Sequence, residues 1–70
     1  MNYAEIVIAN ANENLDRVFH YGVPENLRNV IEVGMRVYVP FGMGNRRTEG
    51  YVIGFTDEID FDKSKIKNIY

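Results

Sequence analysis

Short apolar runs separated by turn-forming residues dominate the chain, and their period is two, the spacing of strands with one buried face. Tyr3-Ala4-Glu5-Ile6-Val7-Ile8 is rich in β-branched residues and stops at the polar stretch Asn10 to Asn14, which predicts a strand followed by a loop. Arg17 to Tyr21 predicts a second short strand. It ends at Gly22-Val23-Pro24, because Pro24 has no amide to give a ladder and pushes Val23 toward extended geometry. Glu25 to Glu32 has room for one helical turn behind Pro24 but not for an independent helix, so it reads as a connection. Beyond the turn at Val33-Gly34, Met35, Val37, Val39 and Phe41 share one face of a third strand, the clearest in the chain.

Gly42 to Thr48 combines glycines, Asn45 and the adjacent Arg46 and Arg47, which predicts an exposed hairpin connection with a mobile tip. A fourth strand follows from Glu49 to Thr56. It sets Tyr51, Ile53 and Phe55 on one side and Gly50 and Gly54 on the other, where another backbone can come close. Asp57 to Asp62 reads as an acidic loop, and Lys65 to Tyr70 opens a fifth strand without a stop signal, as if the chain broke off inside a longer protein. Short strands with turn chemistry between them, and no room for parallel crossovers, predict an all-β domain. The expected architecture is a small antiparallel barrel or sandwich, OB-like or SH3-like, of five or six short strands, with closure hiding the sheet edges.

Length and composition narrow this further. Seventy residues supply one core, so residues 1–70 form a single domain with an expected stability of roughly 3–5 kcal/mol. The absence of cysteine excludes a disulfide framework, a thiolate metal site and a cysteine nucleophile, and it points to a reducing, cytoplasmic setting. Neither a signal peptide nor a membrane-spanning run is visible, so no membrane partner is expected. A net charge of −2 argues against coating nucleic acid through bulk charge. Arg17, Arg28, Arg36, Arg46 and Arg47 nevertheless gather in the middle of the chain, which favours a local anionic contact.

Catalytic signatures are missing. There is no phosphate loop, no HExxH and no His/Cys cluster, and His20 is the single histidine. Gly42-Met43-Gly44 lacks the following helix N-terminus that a phosphate-cradling turn needs. Asp57, Glu58, Asp60 and Asp62 lack the central glycine and terminal glutamate of a calcium loop and read as solvated. His20 has no partner in a recognisable acid–base motif and reads, on composition, as a strand-surface residue. The chain itself is therefore expected to be neither an enzyme nor a cofactor binder.

Three phrases stand in order: Phe19-His20-Tyr21-Gly22-Val23-Pro24, then Val33-Gly34-Met35-Arg36-Val37-Tyr38-Val39-Pro40-Phe41-Gly42, then Gly50-Tyr51-Val52-Ile53. Together they resemble the extreme N-terminal domain of the bacterial replication-restart helicases of the PriA (primosomal protein N′) family, across nearly the whole chain. That domain runs strand, Phe-x-Tyr-x-x-Pro, Gly-x-x-Val-x-Val-Pro-Phe-Gly, then a glycine-rich strand. The resemblance implies a module that binds the 3′ end of the nascent leading strand at a stalled fork. It also implies a parent ATP-dependent helicase, whose ATP, magnesium and structural zinc lie in other domains, and other primosome proteins as partners.

By the same resemblance, the terminal base and 3′-hydroxyl would be held by Phe19, His20, Gly42 and Lys67. Independently of it, Arg46 and Arg47 in the hairpin offer a second contact to phosphate, against the plainer reading of a solvated loop tip. An aromatic ring packs on any base without choosing among them, which suits a reader of strand ends. A glycine lets backbone approach the sugar, and a lysine meets a phosphate as a point charge. The family motif departs at one position: well-studied members carry Asp where this chain has His20. A neutral imidazole acting as acceptor in its place predicts 3′-end binding that weakens as acid protonates the ring. The competing reading is an SH3-like protein-interaction module, with Tyr38, Tyr51 and Phe55 forming an apolar patch.

Overall fold

The computed structural model of the chain describes residues 2–9, 17–59 and 62–70. Four strands follow in order: β1 (Tyr3–Ile8), β2 (Phe19–Gly22), β3 (Arg36–Phe41) and β4 (Arg46–Thr56). They form one antiparallel sheet in the order β2-β1-β4-β3. A single 3-10 turn, Glu25–Leu27, follows Pro24 as the one-turn connection expected there. The all-β expectation holds, with four strands among the described residues where five or six were expected. The loop expected at Asn10 to Asn14 lies outside the described residues, and so do Asp60 and Phe61 of the acidic stretch. Among the described residues no helix is long and apolar enough to cross a membrane.

Strand alternation sets the core. Ala4, Ile6 and Ile8 point inward from β1 and meet Val39 of β3 and Val52 of β4, with Tyr21, Val23, Ile31 and Ile69 completing the buried set. Gly50 lies opposite Ile8 on this inner face. A Cβ there would stand 2.6 Å from Ile6 Cγ2 and 3.1 Å from the Val7 carbonyl, the close approach that the glycine-bearing side of this strand predicted.

Alternation along β4 does not run unbroken, and this corrects the face assigned to Phe55. Glu5 pairs with Gly54 but Ile6 pairs with Val52, so Ile53 is the extra residue of a β-bulge. Before the bulge the even-numbered residues face inward; after it the odd-numbered ones do. Phe55, opposite buried Ala4, therefore packs against the core, while Tyr51 and Ile53 stay exposed.

The last segment is the second correction. Lys63–Lys65 is a 3-10 turn, and the residues after it make one parallel bridge, Gly22 with Asn68, instead of a fifth strand. Asp62 opens that turn by accepting hydrogen bonds from the Ser64 amide (2.9 Å) and hydroxyl (2.8 Å). These bonds hold its carboxyl below the usual range, so their contribution is present at neutral pH and is lost as acid protonates the group.

Although not a strand, the segment joins the two open edges of the sheet. On the β2 side, the Gly22 amide donates to the Lys67 carbonyl (2.8 Å) and the Ile69 amide donates to the Gly22 carbonyl (3.0 Å). On the β3 side, the Tyr70 amide donates to the Tyr38 carbonyl (3.0 Å). Buried Tyr21 spans the same gap directly, its hydroxyl donating to the Pro40 carbonyl at 2.9 Å. Pro40 fits here because β3 is an edge strand, where a missing amide breaks no ladder. Burial raises the Tyr21 phenol above its ordinary value, so it remains a donor throughout the neutral range. Tyr21→Phe leaves the Pro40 carbonyl without this partner and is expected to lower the unfolding free energy by about 1–2 kcal/mol in urea titrations; an unchanged midpoint would show that the hydroxyl adds nothing to closure.

Candidate nucleic-acid interface

Edge strand β2 presents its residues alternately. Phe19 pairs with buried Ile6 and turns toward the inside of the curled sheet, whereas His20 pairs with Glu5 and turns outward. The half-buried Phe19 ring meets Phe41 of β3 edge to face, with centroids 5.1 Å apart and planes at 87°. Arg17 lays its guanidinium over the Phe19 ring, 5.1 Å from the centroid. His20 Nε2 stands 3.8 Å from Glu5 Oε2, close enough for an ion pair when the ring is protonated.

The turn after β3 is Gly42 to Asn45, closed by the Asn45 amide donating to the Gly42 carbonyl at 3.1 Å. Gly42 (φ 75°) and Asn45 (φ 51°) both occupy the left-handed region, which glycine enters freely and asparagine tolerates. A Cβ added at Gly42 would meet no atom within 4 Å, so conformation and not crowding inside the domain calls for glycine there. The space beside it is open to a ligand.

Lys67 is fixed twice. Its carbonyl accepts from Gly22 as part of the closing segment, and its Nζ donates to the Gly42 carbonyl at 3.3 Å. The ammonium thereby stands at the turn with donors to spare.

These elements enclose a cavity of about 510 Å³ lined by residues 17–21, 40–42 and 65–67. All four residues expected to hold a strand end, Phe19, His20, Gly42 and Lys67, line it. Arg17, Phe41 and Lys65 line it too and were not singled out, although Arg17 and Phe41 stand within or beside the motifs. Among the described residues the lining carries three exposed cations, Arg17, Lys65 and Lys67, and no carboxylate. A second cavity, of about 450 Å³ near Asn2, Pro24 and Arg28, holds none of the expected residues.

Arg46 and Arg47 do not belong to a loop tip. The turn is shorter than the glycine-rich stretch suggested, and both arginines lie in β4, paired with Phe41 and Pro40. The apolar patch proposed for a protein-interaction module is also incomplete, since Tyr38 and Tyr51 are exposed but Phe55 packs inward.

An aromatic ring, an open backbone turn and a cationic rim can hold a planar, anionic ligand by stacking and charge. They offer no activated nucleophile and call for noncovalent recognition.

Comparison with known proteins agrees with this chemistry. The family model for the 3′DNA-binding domain (3′BD) of PriA matches residues 5–70. The chain is 36% identical over 69 residues to the replication restart protein PriA of Bacillus subtilis (strain 168), an alignment covering 99% of this chain and 8% of that protein. No solved structure matches.

Gly42→Ala is expected to cost about 1–2 kcal/mol of stability through its left-handed backbone. Gly44→Ala, in the same turn but with open space and no positive φ, should stay within about 0.5 kcal/mol of the parent. Equal urea midpoints for the two variants would show that the turn does not depend on the Gly42 conformation.

Proposed function

The chain belongs to the PriA 3′DNA-binding domain family, and from that premise we propose that it binds the 3′ end of the nascent leading strand at stalled replication forks. In this role it is one domain of a longer ATP-dependent helicase, which it targets for primosome assembly and replication restart. The helicase's remaining domains and other primosome proteins are then its protein partners, and ATP, magnesium and zinc belong to those other domains. The observation that carries this reading is the convergence of Phe19, Gly42 and Lys67 on one cavity that Arg17 and Lys65 also line.

The terminal base packs on Phe19, on the ring that Arg17 covers. A guanidinium can move aside or close over the base as a second layer, and neither choice reads sequence. The terminal sugar fits beside Gly42, where no Cβ stands. Lys67, already oriented by the Gly42 carbonyl, meets the last phosphate. His20, which lines the cavity, receives the 3′-hydroxyl, and the Glu5 carboxylate stands beside it, 3.8 Å from Nε2 and outside the lining. A 3′-phosphate placed there would bring its charge toward Glu5 and would be disfavoured.

Binding of fluorescent oligonucleotides at low salt tests the reading. Strands with a 3′-hydroxyl should bind more tightly than matched strands with a 3′-phosphate, and Phe19→Ala should lose about 1–3 kcal/mol of binding energy with the hydroxyl strand. Equal affinity for the two ends, or none for either, overturns it.

A further inference from the structure

Outside the cavity, the outer face of β3 and β4 carries a second cluster of aromatic rings and arginines. Arg47 packs against two tyrosines, its guanidinium carbon 4.6 Å from the Tyr38 ring centroid and 5.5 Å from that of Tyr70. Both rings are partly open to solvent, Tyr38 at 37% and Tyr70 at 57%. Among the described residues no carboxylate lies within ion-pairing distance of Arg47. Arg36, which also sits over Tyr38 at 6.0 Å, is different: its guanidinium pairs with Glu49 at 3.3 Å.

We infer that Arg47, packed against Tyr38 and Tyr70, is a clamp for a backbone phosphate of the same DNA strand whose end enters the cavity, a few nucleotides back from the terminus. The inference rests on the 3′-end reading proposed above. Contact with two rings restrains the guanidinium, which lowers the entropy it loses on binding, and its planar fork of N–H donors suits phosphate oxygens. The surrounding charge favours an anion: Arg36, Arg46 and Arg47 stand against Glu49 on these two strands.

Position links the clamp to the cavity in two ways. Arg47 pairs with Pro40 across the ladder, and Pro40 itself lines the cavity; partners in such a pair lie about 4.5–5.5 Å apart between Cα atoms. The closing segment then runs from Lys67 at the cavity to Tyr70 at the clamp, and Tyr70 is held beside Tyr38 by its backbone hydrogen bond. A strand leaving the cavity over the β3 edge meets Arg47 with no carboxylate among the described lining residues to repel it.

The test compares a dinucleotide with a 3′-hydroxyl strand of about ten nucleotides, long enough to span both places. With the long strand, Arg47→Gln should bind on the order of tenfold more weakly. The slope of log K against log salt should also flatten by about 0.7, the value for one phosphate contact on a single strand. Dinucleotide affinity and the preference for a 3′-hydroxyl should not change, and far-UV circular dichroism confirms that the variant is folded. Arg46→Gln removes the same charge from the neighbouring position without touching the tyrosine pair, and should have a clearly smaller effect. Tyr38→Leu, which keeps Arg47 but frees it, should also weaken the long strand. An unchanged salt slope in Arg47→Gln, or equal losses in the Arg46 and Arg47 variants, overturns the clamp whatever the wild-type end preference. Loss of that preference in the wild-type protein instead overturns the 3′-end reading and the clamp with it.

Discussion

A four-stranded antiparallel sheet has two open edges, and the fold depends on how β2 and β3 are brought together. The two strands form no ladder with each other. The gap is bridged by one buried side chain, Tyr21 reaching the Pro40 carbonyl, and by the backbone of residues 67–70, which gives hydrogen bonds to β2 on one side and β3 on the other. Curling the sheet this way buries the inner face of β1 against β3 and β4 and leaves less exposed edge to recruit another chain. For a domain of this size, with a small core, these few bonds account for a large share of cooperativity.

The same seam creates the candidate binding cavity. Phe19 and Phe41 meet because their strands are drawn together, and Lys67 reaches Gly42 because its own backbone is one of the ties. Lys67 thus serves both features with different parts, its main chain tying the seam and its side chain standing at the candidate cavity. One consequence is that a substitution which loosens the seam disturbs the cavity without touching it. A second is that the rings and cations are preorganised, so a ligand need not supply the free energy to assemble them.

Much of this was legible in sequence, and the failures have physical causes. Strands β1, β3 and β4 follow from period-two patterning, and the close approach at Gly50 follows from a residue without a side chain on an inner face. The grouping of Phe19, His20, Gly42 and Lys67 came from motif resemblance; no local property of the four residues shows that a sheet must curl to bring them together. Phe55 was assigned to the wrong face because a bulge at Ile53 changes the phase of the strand, and nothing in Tyr51-Val52-Ile53-Gly54-Phe55 marks where pairing will slip. Lys65 to Tyr70 has the composition of a strand, but its partners are offset on two different edges, and such tertiary demands leave no periodicity to read. Arg47 was placed in a loop because adjacent arginines after glycines favour turns; the turn closes earlier, at Asn45, because Asn45 accepts the left-handed conformation.

The charge distribution is compatible with a nucleic-acid partner even though the chain is acidic overall. Net charge governs long-range attraction, which salt screens over a distance of about 8–10 Å. What a bound strand feels is nearer: Arg17, Lys65 and Lys67 at the cavity and Arg47 beyond it, with Glu49 engaged by Arg36. A net charge of −2 gives such a domain little bulk attraction for DNA, so its affinity must come from local contacts. On the 3′-end reading proposed above, a ring, an open turn and a few oriented cations supply those contacts at one place, and the acidity of the rest of the chain adds nothing for internal sites to gain.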